Sequence, residues 1–402
     1  MTAVDLPAVP RVLIAEADPW SRDLLKQVLL NVRCDARLDV CADGQRAAEL
    51  LREKPYDLII ADWELPGVDG LSLLRSVRQQ RRSPLLPFIL LSARNDSASV
   101  REALPLAPTA YLTKPLNMEG LTQRLQDLLL NEGETVYCEV PALAPGMTLP
   151  VFLERRREAS DGAPLRVDVQ AAVQHSLEPE GLDLKRLEEQ VRIDPQITAV
   201  LIAAANSAGH HGSPVQTLSM ALHKLAAGQS MNLMLGLALK HNVVLSDPSL
   251  VDYAERHWQL SQRTADYARS LARMLDLDHE RCYSAGILHR LGDLALLRCL
   301  QDWLQGGGEL DDEVIGESLY TFGAAYGSAL RTRWRLPLEL RQLIAAIYSL
   351  EGGVYSREAL VVNLAAQLAR LTEHEGVEAL AKGKTARLLK VGLPELARMR
   401  KT

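Results

Sequence analysis

Between residues 11 and 130, short apolar runs of strand length alternate with amphipathic stretches of helical length. This alternation constrains the fold more than any other feature of the 402-residue chain. Residues 11–15, 37–41, 57–61, 88–91 and 110–113 read as five strands. Residues 21–31, 44–53, 71–79 and 118–130 read as helices, with Leu24, Leu25, Val28 and Leu29 showing the spacing. A chain that returns to strand after each helix builds a parallel sheet covered by helices on both faces. Pro105 and Pro108 predict that the fourth helix, between the strands at 88–91 and 110–113, is short or irregular, because Pro inside a helix costs ~3 kcal/mol.

In such sheets, ligands collect at the carboxyl ends of the strands. Glu16, Asp62, Ser92 and Lys114 stand just past strands one, three, four and five. Two carboxylates, a hydroxyl and an ammonium are therefore expected at one end of the sheet.

Residues 132–167 break the pattern with Pro141, Pro145, Pro150 and Pro164 and the charged run 154–158, and read as a linker holding one short helix. From residue 168 the chain reads as helical, with caps at Asp183, Asp194 and Ser261. Aromatic residues make up only 4% of the chain, with three Phe, so the cores rest on Leu, Ala, Val and Ile. The expected architecture is a doubly wound, flavodoxin-like α/β domain with a five-stranded parallel sheet (8–131), a linker (132–167) and an all-α domain (168–402).

Charge excludes the electrostatic footprint of a DNA-binding protein. Forty-five Lys and Arg face 51 Asp and Glu, a net charge of −6. To residue 131 the count is 16 against 17, leaving 29 against 34 for the remainder, so neither half hides a basic domain. No apolar run approaches 18 residues, so no membrane insertion is expected. Met1–Pro10 carries no secretory pattern, and five scattered Cys without CxxC spacing read as reduced thiols. The expected location is the cytoplasm.

Four ordered motifs in the first half resemble a two-component receiver domain: 12–19 with Glu16, 56–70 with Asp62, 90–93 with Ser92, and 110–115 with Lys114 and Pro115. The resemblance implies that Asp62 is the phosphoacceptor, charged by a sensor histidine kinase or a small phosphodonor. It further implies Mg²⁺ held by Glu16, Asp62 and the carbonyl of Glu64, with Lys114 and Ser92 on the phosphoryl oxygens. Tyr111 takes the place of an aromatic switch, and the Lys114–Pro115 bond is implied to be cis. Trp63 reads as packing. A carboxylate attacking a phosphoryl group needs such a cation to offset charge repulsion, and Mg²⁺ prefers oxygen ligands. One departure stands out: the family's first strand ends in two adjacent acids, whereas here Glu16 is followed by Ala17. Mg²⁺ is therefore expected to bind weakly. The irregular fourth helix also weakens the case for a homodimer through that face.

Residues 168–375 and the following tail resemble the HDOD domain, a helical relative of HD-type metal-dependent phosphohydrolases. The pieces that carry the resemblance are 187–199 with Asp194-Pro195, Asn206-Ser207, 285–292, Phe322-Gly323, 333–337, Val362-Asn363 and 391–396. In HD hydrolases a His, a His-Asp dyad and a distal Asp hold the metals. Here the dyad position is His289-Arg290, and Leu260, Tyr326 and Tyr348-Ser349 stand where relatives have other His. No metal-dependent hydrolysis, and so no enzyme, is expected. His257 and His289 read as structural, His210-His211 as surface residues, and the basic tail 382–401 as a solvated helix. Asn206 and Ser207 read as a helix-ending cap.

The resemblances imply a response regulator whose non-catalytic HDOD domain binds a downstream protein, with a nucleotide second messenger as a further candidate ligand. Two alternatives stay open: a pseudo-receiver scaffold without phosphotransfer, and an HD-type cyclic-dinucleotide phosphodiesterase.

Overall fold

The computed structural model describes residues 9–80, 84–94, 96–114, 116–131, 142–160, 162–178, 181–207, 213–240, 243–350, 354–372 and 374–400. It divides into two compact units: residues 1–139 with 228–240, and residues 140–227 with 241–402. Pro115, Cys138 and His210-His211, with the expectations attached to them, lie outside the described residues.

The first unit runs β1 (Arg11–Ala15), α1 (Pro19–Val32), β2 (Arg37–Cys41), α2 (Gly44–Glu53), β3 (Leu58–Asp62), α3 (Gly70–Gln79), β4 (Phe88–Ser92), α4 (Ser97–Ala103), a 3-10 turn (Leu104–Leu106), β5 (Ala110–Thr113) and α5 (Met118–Leu129). All strand pairs are parallel, in the order β2-β1-β3-β4-β5. The strands alternate faces at period two. Leu13, Ala15, Ile59, Ala61, Phe88 and Leu90 pack with α2 and α3, whereas Val12, Ile14, Leu58, Ile60, Ile89 and Leu91 pack with α1 and α5. Buried on both faces, β3 and β4 are apolar up to their last residues, Asp62 and Ser92, which is why they read as continuous runs.

Asp18, Asp43, Asp69, Asp96 and Asn117 each accept a backbone N–H in the first turn of α1 to α5, starting every helix on an Asx cap. The fourth helix is short, as expected: α4 passes into the 3-10 turn at Pro105, and Ala107 ends it with φ 48°. Two details differ from expectation. Asp62 and Ser92 are the last residues of their strands rather than the first beyond them, because their backbones still pair across the ladder. Cys34 is disulfide-bonded, whereas Cys41, Cys282 and Cys299 are free, so the expectation of five reduced thiols does not hold for Cys34.

The second unit is helical apart from a hairpin. Its elements, with the one that spans both units, are α6 (Leu149–Ala159), α7 (Val169–His175), β6 (Leu177–Glu178), β7 (Gly181–Leu182), α8 (Leu184–Val191), α9 (Pro195–Ser207), α10 (Leu218–Ala238), α11 (Pro248–Met274), α12 (His279–Leu288), α13 (Leu291–Gln305), α14 (Asp312–Arg333), α15 (Leu338–Tyr348), α16 (Arg357–Arg370), α17 (Glu378–Lys382), α18 (Lys384–Leu389) and α19 (Leu393–Met399). α11 packs against α12, α13 and α16. Asn363 ties α16 to its neighbours, donating to the Ala346 carbonyl at 2.8 Å and accepting from Thr385 Oγ1 at 3.2 Å.

Three expectations change here. Ser261 is not a cap: it is buried inside α11, whose apolar stripe (Leu250, Ala254, Trp258, Ala265, Ala268, Leu271) runs through it, and Asp247 is the cap. α6 sits within the stretch read as linker, yet it packs on α13 and α14, with Leu153 fully buried and its carbonyl accepting from Tyr326 Oη at 2.7 Å. The basic tail forms two short helices, α18 and α19, rather than one, because Lys390 takes φ 58° and Pro394 starts a new helix. Among the described residues no helix is long and apolar enough to cross a membrane.

Candidate functional site

The sheet order places a switch point between β1 and β3, whose connections run to opposite faces, and this opens a crevice at their carboxyl ends. Glu16 follows β1 and Asp62 ends β3; they are 1% and 6% exposed. Lys114, just past β5, reaches across and donates from Nζ to Glu16 Oε2 and to Asp62 Oδ2, both at 2.7 Å. Its backbone is held in turn, with N donating to the Ser92 carbonyl at 2.7 Å.

The remaining carboxylate oxygens are also engaged. Glu16 Oε1 accepts from Asp18 N at 3.0 Å, and Asp62 Oδ1 accepts from Glu64 N at 3.2 Å. Burial pushes the Glu16 carboxyl above its usual range; Lys114 opposes this and Asp62 adds to it. Burial alone would push the Lys114 ammonium down, but the two carboxylates leave it raised. The two carboxylates thus favour the charged ammonium in a partly dry crevice.

Asp18 does not stand in for the missing second acid, because it caps α1 by accepting from Ser21 N at 2.7 Å. The Ala17 side chain packs against the β-sheet core, where a carboxylate would need its own partner. Ser92 is fully buried, and its Oγ accepts from Arg94 N at 2.9 Å. Tyr111 Oη donates to the Arg94 carbonyl at 2.7 Å, and its ring meets Trp63 edge-on at 6.3 Å. Trp63 is buried as expected, with the Arg94 guanidinium 5.2 Å from its ring centre and 3.3 Å from Glu64 Oε1.

Sequence reasoning brought Glu16, Asp62 and Lys114 together and placed Ser92 and Tyr111 beside them. It missed two arginines. Arg22 turns back from α1 to donate to the Glu16 and Ala17 carbonyls at 2.6 and 3.1 Å. Arg94 links Ser92, Tyr111, Trp63 and Glu64. No spacing rule marks either, because both act through backbone groups or a ring face. Chemically, the crevice offers two buried carboxylates to a hard cation and an ammonium to an anion. Those hard oxygens fit Mg²⁺ keeping several waters, with one acid fewer than a three-carboxylate cage.

In the second unit His257 and His289 lie near one another, but an arginine is set among them. Arg290 Nε donates to His257 Nδ1 at 3.1 Å and pairs with Asp293 Oδ2 at 3.2 Å. His289 Nδ1 bonds the Gly286 carbonyl at 2.7 Å, and Tyr348 Oη donates to the His289 carbonyl. Burial pushes both imidazoles down to about 3, with Arg290 adding to the effect, so both are neutral. Asp194 is fully buried and accepts from Arg166 N, Val167 N and Ile197 N, which anchors the start of α9. Asn206 pins the other end of α9 to Val215 by reciprocal bonds of 2.8 and 2.9 Å.

A buried acid pair under one lysine, at the switch point of a 2-1-3-4-5 sheet and followed by a helical unit, defines a class: doubly wound α/β domains joined to an all-α domain. The family model described as "Response regulator receiver domain" matches residues 12–126, and the one described as "HDOD domain" matches residues 163–350. The chain carries a response regulator receiver domain and an HDOD domain, and its relatives are response regulators.

It is 36% identical over 121 residues to "Transcriptional regulatory protein AfsQ1" of Streptomyces coelicolor, covering 30% of this chain and 52% of that one. It is 29% identical over 116 residues to "Probable chemotaxis protein CheY" of Rhizobium etli, covering 29% and 89%. A solved receiver domain of the Francisella response regulator 1452 is 32% identical, covering 30% of this chain and 96% of that one, with a TM-score of 0.28. The chain thus spans about half the length of the first of these relatives.

Proposed function

We propose that Asp62 accepts a phosphoryl group from a sensor histidine kinase or a small phosphodonor, and that the HDOD domain answers by binding a downstream protein without catalysing a reaction. In this reading the receiver occupies 8–131, a connector 132–167 with α6 packed on the effector, and the HDOD domain 168–402. A cytoplasmic location belongs to it. The observation that carries it is the Lys114 ammonium, 2.7 Å from both Glu16 and Asp62.

Glu16, Asp62 and the Glu64 carbonyl are the groups that would hold Mg²⁺. When bound, the ion offsets the negative charge on the incoming phosphoryl oxygens. Asp62 supplies the attacking oxygen, Lys114 a point charge and Ser92 a hydroxyl donor. Ser92 and Tyr111 already meet through Arg94, so a Ser92 drawn toward a phosphoryl group would carry the tyrosine with it. In the HDOD domain, Arg290 between His257 and Asp293 places a guanidinium among groups that would otherwise ligate a metal, which supports a binding role.

A second reading is favoured by Ala17. With that side chain in the core and Lys114 closed over both acids, the receiver serves as a scaffold without phosphotransfer. Trp63, one residue from Asp62, separates the two. Titration with Mg²⁺ is expected to change Trp63 fluorescence saturably in the native chain, more tightly in Ala17→Asp and not in Asp62→Asn. A response in Ala17→Asp alone would replace the phosphorylated reading with the scaffold. Hydrolysis of a cyclic dinucleotide in the presence of Mn²⁺ would overturn the non-catalytic reading of the HDOD domain.

A further inference from the structure

The helical segment 228–240 comes from a distant part of the chain, yet it is built into the first unit. It follows a break at Ala226, where φ 59° and ψ 171° interrupt α10. The chain there leaves helical geometry in a region that L-residues rarely adopt, so the two parts of α10 act as separate pieces.

Four contacts hold the segment to the receiver. Asn232 grips the backbone of Leu116 at both ends: in the amide orientation that satisfies both groups, it accepts from Leu116 N at 2.8 Å and donates to Leu116 O at 3.0 Å. Gly236 lies so close to α1 that an added Cβ would stand 2.5 Å from Leu24 Cδ1. Lys240, with its side chain 9% exposed, pairs with Asp23 at 2.6 Å, and Leu239 packs onto the α1–α5 side of the sheet. Leu116 is two residues from Lys114. The same turn thus carries the ammonium that closes on Asp62 and the peptide groups that Asn232 reads.

We propose that residues 228–240 form a docking helix for the α1 face of the receiver, and that the position of Lys114 sets how firmly Asn232 holds it. The coupling half of this proposal rests on Asp62 as the input site; the docking half does not. Lys114 moved toward a phosphoryl group pulls on the turn, and a bidentate contact to backbone tolerates little displacement. A ligand shifts such an equilibrium only by its differential interaction with the two states, and Lys114 supplies that difference.

Amide hydrogen exchange on the full chain tests both halves. Asn232→Ala is expected to speed exchange of the Leu116 amide and of 228–240 about thirtyfold, as the loss of two net hydrogen bonds implies, and Gly236→Leu to speed it through its clash with Leu24, with β3 and β4 unchanged. Lys240→Glu is expected to weaken docking, and Asp23→Lys added to it to restore protection. Unchanged exchange at Leu116 and 228–240 in Asn232→Ala and Gly236→Leu would overturn the docking. Lys114→Met tests the coupling without any phosphorylation: faster exchange at Leu116 and 228–240 is expected, and unchanged exchange overturns it. With acetyl phosphate and Mg²⁺, an adduct on Asp62 that leaves 228–240 unchanged also overturns the coupling. Absence of an adduct counts against the input-site reading alone.

Discussion

Lys114 is the residue on which the receiver site turns, because it pairs with both buried carboxylates. Removing one member of a buried ionic set leaves the others uncompensated, at a typical cost of about 3–5 kcal/mol. Lys114→Ala is expected to lose stability of that order in urea unfolding, and added Mg²⁺ to recover part of it by taking the ammonium's place between the acids. Gly70 is the second position of this kind. An added Cβ there would lie 2.1 Å from the Asp62 carbonyl oxygen and 3.1 Å from Leu90 Cδ1. Overpacking of this sort typically costs about 1–3 kcal/mol, so Gly70→Ala is expected to lower the urea midpoint and, by shifting Asp62, to weaken the Mg²⁺ response of Trp63. Asp62 and Lys114 were legible in the sequence because strand ends in a parallel sheet converge whatever the side chains. Arg22, Arg94 and Asn232 were not: Arg22 and Asn232 hold backbone groups, and Arg94 acts through its own backbone, a ring face and Glu64, none of which a pattern of residue types reveals.

At the scale of elements, the helical unit depends on close crossings. Gly292 on α13 faces α14 so tightly that a Cβ would meet Gly327 N at 2.3 Å and the Gly323 carbonyl at 2.4 Å. Gly292→Ala is expected to destabilise this unit by at least about 1–3 kcal/mol, visible as an earlier transition in thermal unfolding followed by Trp334 or Trp303 fluorescence. The helices around α11 also carry the buried imidazoles. His257 and His289 titrate at about 3 when folded, against an ordinary value of 6.5. Between those values the unfolded chain binds more protons, so stability falls as pH drops from 6.5 toward 3 and is independent of these groups above 6.5. Each ring adds a slope of up to about 1.4 kcal/mol per pH unit inside that window. Urea unfolding across pH 4 to 7, using about these limits, is expected to show a shallower dependence in His257→Asn than in the native chain. An unchanged slope would contradict the burial of a neutral ring. The sheet strands and the short fourth helix were readable because buried runs and prolines act locally. Ser261 misled because serine is common at caps but tolerated inside a helix whose apolar stripe continues past it.

For the whole molecule, two families account for residues 12–126 and 163–350, and the sequence motifs located both. The placement of α6 and of 228–240 escaped sequence reasoning for the same physical reason. Each packs against partners far along the chain, and an amphipathic or apolar helix does not announce which surface it covers. In the proposed function the signal chemistry lies in one crevice, and the response depends on whether that crevice accepts a phosphoryl group with Ala17 in place of a second acid. Intact-mass measurement after incubation with acetyl phosphate and Mg²⁺ tests this most directly. One phosphoryl adduct is expected on the native chain, absent when EDTA is present during the incubation and absent from Asp62→Asn. A native chain that stays unmodified with several phosphodonors, or an adduct that persists in Asp62→Asn, would contradict it.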